Sequence, residues 1–416
     1  MTTSEENALL IQTGPGTPCG ELHRRYWQPV ALSQELPPGG APLTVRLLSE
    51  DLVLFRADGG RPALLGLHCA HRGADLSYGR IEDGGLRCIY HGWLYDVNGR
   101  CLEQPGEPSS STFHERIRHR AYPCQEVGGI IYTYMGPGEP TRLPPFEFVR
   151  IAPENRDNMK SFADCNYLQG NEGNLDPVHL SFLHQLTIDE PESGRAYNAQ
   201  CRQPAIETED TEFGVRIYAV RSVSGERNYV RVTNFILPNF SAVTGNTDGY
   251  TVNWHVPIDD EHHWRYFIRF SRTQPLGQGN WWRGSSKSLT PDLHLKKNRA
   301  NRYGQDRSSF DQAFAGLGPD FLLHDTCAVE GPGPIEDRAE EHLAYTDRGI
   351  VASRAALLQA IRDVQEGRDP KGVARGPSAQ PDLVVRSDAL LPASVDWRHY
   401  WDDESLVPEL TSAGHG

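Results

Sequence analysis

Two short segments of the chain bring two thiols and two imidazoles together in sequence. The first contains Cys69 and His71 with one residue between them, and the second contains Cys88 and His91 with two residues between them. A 2Fe–2S cluster of the Rieske type needs this set, because two thiolates bind one iron and two neutral imidazoles bind the other. The two pairs therefore predict that Cys69, His71, Cys88 and His91 hold such a cluster.

The alternative for these four residues is a structural zinc site, which accepts the same donor atoms. Zinc sites, however, more often pair Cys with Cys and His with His along the chain, whereas each segment here supplies one ligand of each type. Gly73 and Gly92 follow the ligands, where the backbone must approach sulfur closely. These features favour the cluster over zinc, and a cluster by itself predicts an electron carrier.

A second group of possible metal ligands lies later in the chain. Glu172, Asp176, His179 and His184 have the spacing E-x3-D-x2-H-x4-H. Two imidazoles and one carboxylate form the facial triad of oxygen-activating non-haem Fe(II), which leaves coordination positions open. Residues five apart on an unbroken α-helix differ by about 140° in direction, so both His face one iron only if the helix is interrupted. Asp176 as a helix cap with Pro177 at the next position would supply that interruption.

The alternative for the second group is that both His are ordinary helix residues and Asp176 is only a cap. The Cys/His pairs weigh against this alternative, because a one-electron donor requires an acceptor. The two motifs together predict an electron-transfer route within one kind of chain.

Composition limits the class of protein. The length of 416 residues predicts two domains, and 38% hydrophobic residues suffice for ordinary cores. The net charge of −14 argues against a nucleic acid or an anionic membrane as partner. No apolar run approaches transmembrane length and the first residues lack a signal-peptide pattern, so we expect a soluble, cytoplasmic protein. We expect the six cysteines outside the two pairs to be reduced thiols.

The elements that must position these motifs change in character along the chain. Residues 1–25 predict an N-terminal helical segment that packs on the second domain. Short β-type runs separated by Gly- and Pro-rich turns predict a small antiparallel β domain over residues 26–140, which contains both Cys/His segments. The Pro-rich stretch 136–145 is the candidate linker.

The second domain, residues 141–416, mixes helices and strands. Helices are predicted over Ser161 to His184, Asp311 to Glu330 and Asp347 to Gly367. Strands that follow one another at short spacing between residues 213 and 270 predict an antiparallel sheet. The polar stretch 274–306 predicts a long surface loop, and the aromatic residues Trp397, Tyr400 and Trp401 predict that the C-terminal segment docks on the domain.

With these motifs, the chain resembles the oxygenase (alpha) component of the Rieske non-haem iron aromatic-ring oxygenases, in the phthalate dioxygenase-like branch. The resemblance covers almost the whole chain. The two metal motifs are its most specific part, and further segments identify the branch: Tyr229-Val230-Arg231-Val232-Thr233, Val256-Pro257-Ile258-Asp259-Asp260 and Gly333-Pro334-Ile335 with the following residues to Leu343.

The resemblance implies an α+β fold. It consists of an all-β Rieske 2Fe–2S domain and a helix-grip (START-like) catalytic domain, whose curved antiparallel sheet covers a mononuclear Fe(II). The resemblance also implies an acidic third iron ligand on a late helix, and Asp325 occupies the matching position. By residue type alone, Asp320 or Glu330 would serve as well.

The resemblance further implies a role for Asp176 between two imidazoles. In this family the matching Asp accepts a hydrogen bond from an iron-bound His and from a Rieske His of the neighbouring subunit. By match, these partners are His179 and His91. The two metal sites of one chain would be too far apart for electron transfer, so a head-to-tail homotrimer, or stacked trimers, is implied.

The implied function is that of a terminal oxygenase. An NAD(P)H-linked reductase or a ferredoxin supplies electrons, and O2 is used to hydroxylate or O-demethylate an aromatic acid in aromatic-compound catabolism. One alternative is cis-dihydroxylation of a phthalate-like acid, and an alternative of another class is a Rieske electron-transfer protein without oxygenase activity. A carboxylate substrate would require a pocket Arg. Four on the predicted strands are candidates, although strand charges usually face water: Arg216, Arg221, Arg231 and Arg269.

Overall fold

The computed structural model describes residues 2–186, 193–245, 247–276, 287–375 and 383–402. Its α-helices are α1 Ser4–Ile11, α2 Pro18–Arg24, α3 Glu147–Arg150, α4 Tyr167–Leu175, α5 Gly194–Gln200, α6 Phe321–Glu330 and α7 Arg348–Gln365. Within these ranges, every helix is too short or too polar to cross a bilayer.

Three small antiparallel sheets build the region that carries the Cys/His pairs. Their strands are β1 Gln28–Leu32, β2 Leu43–Leu47, β3 Glu50–Arg56, β4 Pro62–Gly66, β5 Arg80–Glu82, β6 Gly85–Arg87, β7 Leu94–Asp96, β8 Cys101–Glu103, β9 Ala121–Tyr122, β10 Cys124–Val127 and β11 Ile130–Thr133. The sheet orders are β1-β11-β10, β2-β3-β4-β9 and β5-β6-β7-β8. The first Cys/His segment follows β4 and the second connects β6 to β7, so both emerge from strands of the predicted β region.

One large antiparallel sheet forms the centre of the second region. Its strands are β12 Arg156–Ala163, β13 Ala205–Asp210, β14 Gly214–Val223, β15 Arg227–Ile236, β16 Phe240–Thr244, β17 Tyr250–Pro257, β18 His263–Phe270 and β19 Ala389–Pro392. The order is β12-β18-β17-β16-β15-β14-β13, and β19 pairs with β15. The strands predicted between residues 213 and 270 lie in this sheet. The sheet also contains four strands that were not predicted: β12, β13, β16 and β19.

Both faces of the large sheet are covered. One face packs its aromatic residues against the small sheets, where Trp254 contacts Tyr132 and Phe146 with ring centroids 5.8 and 5.4 Å apart. The opposite face packs against α1, α2, α4 and α7 through a continuous apolar core. Because both faces are covered, β17 is buried at every position, although its apolar Tyr250, Val252, Trp254 and Val256 alternate with the polar Thr251, Asn253 and His255.

The C-terminal segment docks on this sheet as predicted. Trp397 is buried and its ring lies 4.8 Å from that of Tyr218 on β14. Trp401 contacts the same tyrosine at 5.8 Å.

The predicted helix over Ser161 to His184 is wrong at both ends. Residues 161–163 belong to β12, α4 covers only Tyr167–Leu175, and a separate 3₁₀ turn covers His179–Ser181. The helix begins where the Asn166 side chain accepts a hydrogen bond from the N–H of Leu168. It ends before Pro177, because proline disfavours the helical conformation of the residue that precedes it.

The predicted helix over Asp311 to Glu330 is wrong in its first half, since α6 begins at Phe321. Gly316 and Gly318 both have positive φ, which a helix does not accommodate, and Asp320 caps the new start. The predicted surface loop over 274–306 lies partly outside the described residues, and its described part contains a 3₁₀ turn over Arg299–Gly304.

A buried ion cluster holds α4 against the helices around it. Glu172 accepts hydrogen bonds from Arg338 at 3.1 and 3.0 Å and from Arg354 of α7 at 2.5 and 3.0 Å. Arg338 also donates to Asn7 of α1, and Arg354 donates to Glu341. Burial raises the pKa of Glu172, but the two guanidinium groups outweigh it and lower the pKa on balance. Glu172 is therefore an anchor of α4.

Candidate metal centres

Two loops of the same construction carry the Cys/His pairs. The N–H of Gly73 donates to the Cys69 carbonyl at 2.8 Å, and the N–H of Gly92 donates to the Cys88 carbonyl at 3.0 Å. The φ angles of the two glycines are 73° and 75°, a conformation that favours glycine. Each loop therefore turns back four residues after its cysteine, so that both loops face the same space.

The four side chains meet at the tip of these loops. Cys69 and Cys88 are only 3% and 2% exposed, whereas His71 and His91 lie further out, with ring centroids 4.4 Å apart. Trp93 stacks on His71 at 4.5 Å and fixes its plane. Two sulfurs inside and two imidazoles outside fit a cluster with one inner and one outer iron, which is the Rieske ligand set.

Hydrogen-bond donors surround the sulfurs. The Tyr95 hydroxyl lies 3.1 Å from the sulfur of Cys69. Burial raises the pKa of Cys88, while the backbone N–H groups of Tyr90 and His91 at its sulfur oppose this rise. Hydrogen bonds to ligand sulfurs are one of the factors that set the reduction potential of an iron–sulfur cluster.

The second centre brings together His179, His184 and Asp325, as predicted from the sequence. One possible ligand atom from each lies within 4.8 Å of the others. His184 Nε2 is 2.8 Å from Asp325 Oδ1, and His179 Nε2 is 3.9 Å from the same oxygen. Two ligands at about 2.1 Å from one cation and at right angles are about 3 Å apart, so this donor set fits a single metal ion. Its composition is that of the facial triad.

The other two acidic residues of α6 do not reach this site. Asp320 accepts the N–H of Leu322 and caps the helix. Glu330, at the other end, accepts from the Tyr303 hydroxyl at 2.6 Å and from the N–H of Asp164 at 2.9 Å. Only Asp325 of the three faces the imidazoles.

The break after α4 places the first imidazole. Asp176 Oδ1 accepts the N–H of Val178 at 2.7 Å, and its Oδ2 accepts the N–H of His179 at 3.2 Å. These bonds cap the turn that follows Pro177. The His179 ring then donates from Nδ1 to the backbone carbonyl of Asp176 at 2.6 Å, and not to the carboxylate as the resemblance implied, which leaves Nε2 as its ligand atom. Burial lowers the pKa of His179, but the Asp176 carboxylate, 3.7 Å away, helps to raise it on balance.

Two further residues contact the ligands, and sequence reasoning missed both. His324 Nδ1 lies 3.2 Å from His184 Nδ1. Arg265 of β18 donates to Asp325 Oδ2 at 3.1 Å and is itself held by Asn253 Oδ1 at 3.0 and 2.7 Å. Two features of the sequence could have indicated these residues. His324 directly precedes Asp325, and Arg265 lies on the same face of β18 as the candidate Arg269 because side chains alternate along a strand.

The four candidate substrate arginines differ in their surroundings. Arg216 pairs with Glu209 at 3.1 Å, and Arg231 pairs with Asp388 at 3.3 Å. Arg269 is buried on β18, and burial lowers its pKa. Arg221 alone among the four contacts the segment between Asp176 and His179, since it donates to the Pro177 carbonyl at 2.8 Å.

Comparisons with known proteins match both regions of the chain. The Rieske [2Fe-2S] domain family matches residues 26–123, and the family described as LigXa C-terminal domain like matches residues 133–411. The chain is 33% identical to the phthalate 4,5-dioxygenase oxygenase subunit of Pseudomonas putida over 440 aligned positions, which cover 98% of both chains. The chain belongs to the Rieske non-haem iron oxygenases.

Other relatives agree with this assignment. The chain is 32% identical to the 5,5'-dehydrodivanillate O-demethylase oxygenase subunit of a Sphingobium species, with 94% of this chain and 88% of that protein covered. A solved reduced complex between the oxygenase and the ferredoxin of carbazole 1,9a-dioxygenase shares the fold with a TM-score of 0.54 at 20% identity, over 84% of this chain and 90% of that chain.

The family, fold class and enzyme class predicted from the sequence are thereby confirmed. This Rieske oxygenase is an oxidoreductase that uses O2, and its cofactors are a Rieske 2Fe–2S cluster and a mononuclear iron. The named relatives include both a dioxygenase and an O-demethylase, so membership leaves the type of oxidation open.

Asp325→Ala is expected to lose the mononuclear iron and keep the 2Fe–2S cluster, because it removes the only carboxylate that faces both imidazoles among the described residues. The matched control is Asp320→Ala on the same helix, which should keep both. Iron analysis of anaerobically purified protein, combined with electron paramagnetic resonance of the reduced cluster, measures the two centres separately. Full mononuclear iron in Asp325→Ala, or zinc at the Cys/His loops, would contradict the assignment.

Proposed function

We propose that this Rieske oxygenase is the terminal component of a multicomponent system that oxidises an aromatic acid. In this proposal Cys69, His71, Cys88 and His91 hold the cluster, while His179, His184 and Asp325 hold Fe(II). The observation that carries the proposal is the presence of both donor sets in one chain. An electron-transfer protein would need only the first set.

The residues of the second centre divide their tasks. When bound, the mononuclear iron supplies open positions at which O2 is activated. His179 and His184 present Nε2 toward one point, since their Nδ1 atoms are engaged elsewhere. Arg265 engages Oδ2 of Asp325, which leaves Oδ1 between the imidazoles. The chain thus directs three ligand atoms toward one point.

Electron supply requires a partner at the cluster. The similarity to an oxygenase solved with a ferredoxin supports a ferredoxin or an NAD(P)H-linked reductase as donor. Ile89 and Tyr90, 60% and 56% exposed, lie in the second loop beside His91. Exposed apolar side chains in one loop support docking of this tip on another protein surface. The six cysteines outside the two Cys/His pairs are unpaired thiols, which supports the cytoplasm as the compartment.

We further propose that Asp176 connects the second centre to the His91 edge of a neighbouring subunit's cluster, in a homotrimer or in stacked trimers, and so lies on the route of electrons between them. The Asp176 side chain is 30% exposed although it lies 3.7 Å from His179, so a group from another chain could reach it. A carboxylate is suited to orient two imidazoles at once. A head-to-tail ring is the closed assembly that gives each cluster such a neighbour.

Asp176→Asn is expected to keep both metals and lose nearly all coupled turnover. The carboxylate accepts the N–H groups of Val178 and His179 with one oxygen each, and an amide, which accepts at only one end, cannot keep both bonds and also accept an imidazole N–H from the neighbouring subunit. Oxygen uptake with reductase and substrate measures turnover, and metal analysis verifies the centres. Glu172→Gln, which weakens the anchor of the same helix without touching His179, is the control and should keep more activity. Coupled oxidation near the wild-type rate in Asp176→Asn would refute the bridge.

The proposed substrate is an aromatic carboxylate bound near Arg221. Its guanidinium is fully buried, donates only to the carbonyls of Cys201 and Pro177, and has no hydrogen-bond partner for Nη1 among the described residues. Burial and the nearby Arg231 lower the pKa of Arg221 to about 10, so an anion beside it would be stabilised. The relatives named for phthalate and dehydrodivanillate support an acid as substrate.

Arg221→Met is expected to weaken binding of the aromatic acid about 10- to 100-fold, which corresponds to about 1.5–3 kcal/mol for a hydrogen bond to a charged group. Arg216→Met, whose charge already pairs with Glu209, should leave binding unchanged. Titration of each variant with the acid, under anaerobic conditions and with both metals present, measures the dissociation constants. Unchanged binding in Arg221→Met would remove this residue from the substrate site, and unchanged binding in Arg231→Met and Arg269→Met as well would remove all four.

The type of oxidation is tested by product analysis. The purified chain, supplied with NADH, reductase and O2, is offered phthalate-like acids and methoxy-substituted aromatic acids. Substrate-dependent O2 uptake supports the oxygenase assignment; formaldehyde identifies O-demethylation, and a cis-diol identifies ring dihydroxylation. O2 uptake that never depends on any aromatic acid would contradict the proposed substrate class.

A further inference from the structure

His324 lies behind the second metal centre without belonging to its ligand set. It sits on α6 next to Asp325 and is fully buried. The three atoms that converge on the metal position come from His179, His184 and Asp325, and His324 adds none. Its ring instead approaches the back of the His184 ring, with Nδ1 to Nδ1 at 3.2 Å and ring planes 16° apart.

The contact of the second ring nitrogen of His324, Nε2, shows which of the two nitrogens carries the hydrogen. Nε2 lies 2.7 Å from the carbonyl oxygen of Gly318, and a carbonyl only accepts hydrogen bonds. Nε2 must therefore carry the hydrogen. A neutral imidazole with its hydrogen on Nε2 has its lone pair on Nδ1, so the Nδ1 of His324 acts as an acceptor.

The state of His184 follows from that of His324. An N···N contact of 3.2 Å is a hydrogen bond only if one nitrogen donates, so His184 must donate from Nδ1. Its lone pair then lies on Nε2, 2.8 Å from Asp325 Oδ1, and two acceptor atoms this close require a cation between them, as for two ligands of one metal ion. The opposite tautomer of His184 would place two lone pairs against each other at its back and would carry a hydrogen toward the metal position.

We infer that His324 is a positioning residue: through the Gly318 carbonyl it selects the tautomer of His184 that binds the mononuclear iron. This inference rests on the proposed metal site, and it adds a residue whose role is exerted only through His184. The two ligand imidazoles are fixed in the same tautomer by different means. For His179 the acceptor is the backbone carbonyl of Asp176, which no substitution removes, whereas for His184 the acceptor is a side chain.

A purely structural role for His324 would run through the bond to Gly318. That bond ties α6 to the loop over residues 311–320, which in turn meets the His184 segment where the N–H of Phe314 donates to the Gln185 carbonyl. The two roles use different nitrogens of one ring. They can therefore be separated by two amides of different length.

The decisive variants are His324→Asn and His324→Gln. Asparagine places its amide near the position of Nδ1, so its oxygen can accept from His184 while the bond to Gly318 is lost. Glutamine places its amide near the position of Nε2, so its N–H can donate to Gly318 while the acceptor for His184 is lost. The measurement is the affinity of each variant for Fe(II), by chelator competition on protein that retains the 2Fe–2S cluster.

We expect His324→Gln to bind Fe(II) about 10- to 100-fold more weakly than wild type, the usual loss when an outer partner of a metal-bound His is removed. His324→Asn should bind with nearly wild-type affinity. Fe(II)–nitrosyl electron paramagnetic resonance spectra should differ from wild type in the glutamine variant and match it in the asparagine variant. His23→Gln, which alters another fully buried His that hydrogen-bonds a backbone carbonyl, should leave the affinity unchanged.

The opposite order of affinities, with asparagine weaker than glutamine, would overturn the inference in favour of the structural role. Wild-type affinity in His324→Gln would overturn it as well, whether or not His324→Asn folds. His184→Ala separates this inference from the proposed site, because retention of the mononuclear iron in that variant would mean that the metal site itself is wrong.

Discussion

The charge of Asp325 is the constraint on which the second centre depends. Its carboxylate is largely enclosed, and a buried charge is tolerated only when opposite charge and hydrogen bonds compensate it. Burial raises the pKa of this group, but His184, Arg265 and His179 outweigh burial and hold the pKa well below its ordinary value. These three partners come from two parts of the fold: His179 and His184 from the segment after α4, and Arg265 from strand β18. The Asp325 carboxylate thus joins the sheet to the helices. It does so at a place where a divalent cation would complete the compensation of its buried charge.

The position of the two imidazoles depends on how α4 ends. A continuous helix would point His179 and His184 in different directions, and Asp176 with Pro177 prevents continuation. A break in a helix is useful only if the helix itself is fixed. Glu172, one turn before the break, supplies this through Arg338 and Arg354, which tie α4 to α1 and α7. Arg221 acts on the other side of the break, where it donates to the Pro177 carbonyl. The E-x3-D-x2-H-x4-H segment therefore combines an anchor, a cap and two ligands, each with a different physical task.

The sequence was sufficient for features that depend on short spacing or on a matching family motif. The Cys/His loops, the interrupted helix and the late carboxylate Asp325 fall in this class, and all lie where the motifs place them. The helix boundaries near Ser161 and Asp311 were not predictable from periodicity, because strand pairing of β12 with β18 and the positive φ of Gly316 and Gly318 override it. His324 and Arg265 were missed for a further reason. Each acts through a residue that is distant in sequence, His184 or Asp325. The adjacency of His324 to Asp325 and the alternation along β18 indicate only which way a side chain faces, and not which residue it contacts. The same holds for Arg216 and Arg231, whose partners Glu209 and Asp388 distinguish them from Arg221 only in the folded chain.

The two centres differ in how they meet their surroundings, and this difference bears on how they cooperate. At the first, the sulfurs are buried and the imidazoles lie nearer the surface, so the His71–His91 edge is the side that another protein surface can approach. At the second, the ligand imidazoles are engaged from behind by Asp176 and His324, and only the Asp176 side retains appreciable exposure. In the proposed head-to-tail assembly, the His71–His91 edge of one copy lies against the exposed Asp176 side of the next. Electrons would then cross an interface between copies on their way to the iron. Under this proposal the catalytic unit is an interface between two copies of the chain, and Asp176 is the residue of the second centre that meets it.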